Sequence, residues 1–107
     1  MSEITLKVPE TWMHLPDAER ERLIRAGLHE ATRARIHQLQ VEIAQTRQEI
    51  ERFERRYGMS LDSFEIDVLP QQDTHQVHED YNDWFYWQRI LDEKHQILTE
   101  LQDLALT

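Results

Sequence analysis

The chain reads as a mainly α protein: a long antiparallel helical hairpin, coiled-coil-like, preceded by one short N-terminal β-strand. Three observations predict this. Only two Gly and three Pro stand among 107 residues, too few turn formers for a many-stranded sheet. Two long segments carry apolar residues at alternating spacings of three and four. One short run, Ile4-Thr5-Leu6-Lys7-Val8, alternates apolar and polar with period two before Pro9 closes it.

Taken in order, residues 1–15 form the strand and a turn. A lone strand cannot satisfy its own backbone groups, so it must pair with the similar short run Phe64–Leu69, with a second copy of the chain or with another protein. Residues 16–57 form one long helix. Pro16, Asp17 and Glu19 suit a first helical turn, and Gly27 costs about 1 kcal/mol without forcing a stop. Beyond it Ile36, Leu39, Ile43, Thr46, Ile50, Phe53 and Tyr57 make a narrow heptad seam. Basic residues before Gly58 mark a helix end capped in the left-handed conformation.

Residues 58–79 form a connector, with Ser60 capping a short turn through Phe64. The final helix, 80–105, begins between His78 and Tyr81, with Trp84, Trp87, Leu91, Leu98, Leu101 and Ala105 on its seam and Ile90, Ile97 and Leu104 beside it. The two helices are expected to match in length, so folding one back on the other is natural.

Charge divides the chain. The formal net charge is -9, from 12 Lys+Arg against 21 Asp+Glu. Residues 1–57 hold ten basic and ten acidic groups, whereas residues 58–107 hold Arg89 and Lys94 against eleven acids. The C-terminal half therefore attracts a basic partner and repels phosphate. Without cysteine there is no disulfide framework, thiolate zinc site or Cys nucleophile, and a reducing compartment is expected. No apolar stretch reaches the roughly 20 residues of a membrane span, and the N-terminus lacks the character of a secretory signal, so a cytoplasmic protein is expected.

No enzyme signature stands out. Ser60 and Ser63 lack a glycine elbow and a His/Asp pair, and phosphate-binding glycine loops are absent. His75 and His78, three apart beside Glu79 and Asp80, have ligand character but no second cluster; an acidic first helical turn explains them better, and neither metal nor cofactor is expected.

The run Tyr81–Trp87 holds five aromatic residues in seven positions, more than one helix face can bury. One reading packs Trp84 and Trp87 on Phe53 and Tyr57 at the closed end of the hairpin while Tyr81 and Phe85 cover the connector. The other reads the run, set among acids, as a protein-binding hot spot, and both can hold for different rings. The expected partner-binding residues are Glu79, Asp80, Tyr81, Asp83, Trp84, Phe85 and Trp87. At the other end Thr5 and Lys7 share a strand face and are followed by Arg22 and Arg25; paired strands in a dimer would make a ribbon able to enter a major groove.

The opening Ile4–Glu10 with Glu21–Leu28 resembles the start of small prokaryotic antitoxins, including ribbon-helix-helix types. The blocks Phe53–Glu65 and His78–Trp84 are similar to small helical proteins encoded beside toxin genes. The chain departs from the ribbon-helix-helix pattern, because only Glu10–Leu15 separates the strand from Pro16. The resemblance implies a type II antitoxin: a non-enzymatic protein that neutralises a ribonuclease-like cognate toxin through its acidic, aromatic C-terminal half. It also implies repression of its own operon through the N-terminal half. The expected partners are a basic protein, a second copy through strand 4–8 and helix 16–57, and operator DNA. A dimeric DNA-binding autoregulator and a coiled-coil scaffold or adaptor stand as alternatives.

Overall fold

The computed structural model describes residues 2–72 and 74–107. Met1 of the N-terminal segment and Asp73 of the connector lie outside them. Pro9 leads into a short 3-10 turn, Glu10–His14, and three α-helices follow: α1 (Asp17–Tyr57), α2 (Leu61–Asp67) and α3 (His75–Ala105). No strand occurs among the described residues. Ser2–Val8 is irregular and exposed, with Ile4 and Leu6 more than three-quarters accessible. The expected strand therefore finds no partner among the described residues, because the run of similar alternation from Phe64 is taken up by α2 as far as Asp67 and by a turn beyond it.

Local chemistry accounts for the helix ends. Gly58 closes α1 at φ 66°, its N–H donating to the Glu54 carbonyl at 2.7 Å. The Ser60 hydroxyl accepts from the Ser63 N–H at 3.2 Å and caps α2, which starts at the next residue, Leu61. The Thr74 hydroxyl accepts from the Val77 N–H at 3.2 Å, so α3 begins at His75, ahead of the expected start. The connector is thus shorter than expected and contains α2.

α1 and α3 pack antiparallel, and the heptad seam is where they meet. On α1, Leu39, Ile43, Thr46, Ile50 and Phe53 are buried as expected, with Thr32 added one step earlier. On α3, Val77, Trp84 and Leu91 are buried, and Trp87, Leu98 and Leu101 are half-buried; Ala105, expected on the seam, is exposed. Two polar residues hold seam positions on α3. One is Asp80. The other is Lys94, whose Nζ donates to Glu42 at 2.7 Å across the helix pair, while Arg35 holds the other Glu42 oxygen at 2.7 Å. These bonds hold the Glu42 carboxyl below its ordinary range.

The two helices are unequal, at 41 and 31 residues, contrary to the expectation of matched lengths. α1 therefore runs past the end of α3. The molecule is a rod of 68 × 23 × 22 Å with a radius of gyration of 21.5 Å, against about 13 Å for a compact chain of this size.

Candidate functional site

The closed end of the hairpin is an aromatic core. Trp84 is fully buried, its ring centroid 5.7 Å from Phe53, 6.0 Å from Tyr57 and 5.2 Å from Phe64. α2 makes this possible by laying Leu61 and Phe64, both buried, across the mouth between α1 and α3. Beside the rings Asp80 is buried at 4% exposure, accepting from Arg56 at 3.0 Å, from Gln76 at 2.9 Å and from the Tyr57 hydroxyl. Burial opposes its charge, but the bonds from Tyr57, Gln76 and Arg56 outweigh it and lower the Asp80 carboxyl below its ordinary range. Burial, then the Asp80 bond, pushes the Tyr57 hydroxyl up to about 12.

This geometry corrects the expected partner-binding set. Trp84 and Asp80 lie inside, so neither offers a surface to a partner; their neighbours on α1 and α2 already use them. Trp87 is half-buried against the same core, with Tyr86 edge-on at 5.3 Å. Tyr81 is also half-buried; it stacks on Phe64 at 6.3 Å and donates to Glu65 at 3.2 Å, and burial together with that carboxylate raises its hydroxyl above the ordinary value. Phe85 and Tyr86 remain open, at 48% and 55% exposure, with Asp83 and Glu79 also on the surface. Glu79 lies 3.0 Å from His75 one turn before it.

Phe85 faces an open groove of about 450 Å³ between α2 and α3. Leu61 and Phe85 give it an apolar floor, and Asp62, Glu65, Asp92 and Glu93 line it together with Arg89, which is paired with Glu93 at 3.3 Å. Glu54 of α1 extends the acidic lining at the adjoining end. Sequence reasoning did not name Asp62, Glu65, Asp92 and Glu93 as site residues. Their excess charge was legible, but their convergence on Phe85 depends on α2 forming and docking.

The N-terminal set is not assembled into a DNA-reading surface. Thr5 and Lys7 lie on exposed irregular chain, and no ribbon exists among the described residues. Arg22 and Arg25 sit on the solvent side of α1 with Glu19 at 3.6 Å and Glu21 at 2.8 Å. No group of three or more potential metal ligands occurs among the described residues, and no helix among them is long and apolar enough to cross a membrane. No family model, curated protein or solved structure matches this chain. The antitoxin likeness therefore rests on the quoted residue blocks alone.

Proposed function

We propose that the chain is a non-enzymatic protein-binding module that seats a basic protein partner in the groove between α2 and α3. The observation that carries this reading is a half-exposed aromatic side chain, Phe85, in a groove ringed by carboxylates. An aromatic anchor supplies apolar area at the centre of an interface, and the acids steer and orient a basic surface around it. In its finer form the partner is a toxin encoded beside this chain, the antitoxin role that the residue blocks imply. The groove supports a basic partner of any origin; the likeness alone adds the word toxin.

The test is co-expression with each neighbour-encoded protein, followed by purification and titration. A stoichiometric complex with a basic protein is expected, weakening with salt, and Phe85→Ser or the pair Asp92→Lys with Glu93→Lys should reduce affinity at least about tenfold. Because Phe85 and Asp92 are exposed, the variants should keep the helical signal of the parent chain. Recovery of the chain always free of such partners would sink the toxin form. A complex indifferent to Phe85 and to the acids would sink the groove.

A further inference from the structure

The groove between α2 and α3 is larger than the space around Phe85. A second opening of about 280 Å³ shares Leu61, Asp62, Gln88 and Asp92 with it and widens it toward Glu54 of α1. Along α3 the lining positions are Phe85, Gln88, Arg89, Asp92, Glu93 and Gln96, which recur at spacings of three and four and so make one continuous helix face. At 1.5 Å per residue that face runs about 16 Å, or three turns. It is a different face from the seam, where Trp84 and Leu91 are buried and Lys94 reaches Glu42. Of the acids in the groove, Glu93 already holds Arg89 and Glu65 accepts from Tyr81. The side chains of Glu54, Asp62 and Asp92 have no ionic or hydrogen-bond partner among the described residues, so their charge is available to an incoming cation.

We propose that the element of the partner seated here is an amphipathic basic helix, with one apolar side chain on Phe85 and Leu61 and Lys or Arg about one and two turns further along its face. The inference rests on the reading of the groove as the seat of a basic protein and adds the form that the partner presents. Three features select a helix. First, the walls are helices whose backbone groups are used internally, so they offer side chains and no open sheet edge. An extended segment laid here would leave its own N–H and C=O groups without protein partners, whereas a helix brings its own satisfied. Second, the lining of α3 repeats at helical spacing over three turns, which suits the side-chain ridge of another helix. Third, apolar and acidic positions are set apart along that face: Asp92 follows Phe85 by seven residues, about 10 Å, and Asp62 and Glu54 flank the interval. A partner helix meets this spacing with an apolar residue at one position and cations four and seven residues on. The unpaired carboxylates both attract such a helix and fix its register.

The test titrates the full chain with three peptides of about 20 residues in an Ala- and Gln-rich host. The first carries Leu with Arg four and seven residues on; the second has the same composition with the Arg residues moved to the opposite face; the third is the first interrupted by Pro. The first should bind at least about tenfold more tightly than the other two and gain helical circular dichroism on binding. Phe85→Ser, and Asp92→Lys with Glu93→Lys, should each weaken it at least about tenfold. Glu30→Lys with Asp103→Lys, exposed acids at the other end of the rod, make the same change in total charge and should leave binding within about twofold. Equal binding of the shuffled or Pro-interrupted peptide would overturn the helix while leaving the groove a seat for basic chains. Binding of the first peptide that ignores Phe85 and the Asp92 and Glu93 pair would overturn the groove itself. No binding of any of the three up to about 1 mM would overturn both.

Discussion

Asp80 holds a seam position that a hydrophobic residue would ordinarily fill, and it keeps its charge there because Arg56, Tyr57 and Gln76 all donate to it. The bonds tie the last turn of α1 to the second turn of α3. Since the folded-state pKa of Asp80 lies below its unfolded value near 3.9, its contribution is present above that pH and is lost as pH falls through the folded value. Tyr57 works at the other limit. Its hydroxyl is raised to about 12, so its contribution is complete below the unfolded value near 10 and is lost as pH rises toward 12. Urea unfolding should therefore show a stability plateau between about pH 5 and 9 with a loss on each side. Asp80→Asn should cost about 2 kcal/mol at pH 7 and flatten the acid limb. Beside this satisfied hub, Trp84 Nε1 is buried without a hydrogen-bond partner among the described residues, and the ring packs against Phe53.

At the scale of the elements, the two glycines should respond with opposite sign. Gly58 sits at φ 66°, where an L side chain is strained, so Gly58→Ala should cost about 1 kcal/mol. Gly27 is an ordinary helix-interior residue with open space around it, so Gly27→Ala should gain about 0.5–1 kcal/mol in melts of dilute protein. α1 was legible in full, from Asp17 through Gly27 to the Gly58 cap, because periodicity and capping are local properties. The start of α3 was not: His75–Glu79 has little apolar periodicity, and the Thr74 cap decides it. Lys94 escaped notice on the seam because a charged residue breaks the apolar pattern, although Glu42 across the helix pair accepts its bond. The strand over Ile4–Val8 fails for a tertiary reason, since alternation makes a strand only where another edge is available.

For the whole molecule, shape and charge act together. Eleven acids against two bases in residues 58–107 repel one another along one side of a thin rod, where most side chains face water. Raising ionic strength from about 0.01 M to 0.3 M should screen this and raise the melting temperature by about 3–5 °C. A flat or falling response would mean that the favourable ion pairs outweigh the repulsion. By itself the sequence determined that the chain is helical, that its longest helix ends at Gly58 and that its negative charge lies in one half, because propensity, period and charge are properties of neighbours along the chain. Only the tertiary structure decided which aromatic rings of the Tyr81–Trp87 run are core and which are surface. That division follows from α2 folding across the mouth of the hairpin, which buries Trp84 and leaves Phe85 open in a ring of acids. The unequal helices likewise became visible only in the packed pair, for an apolar stripe records that a helix needs a companion and not where that companion stops.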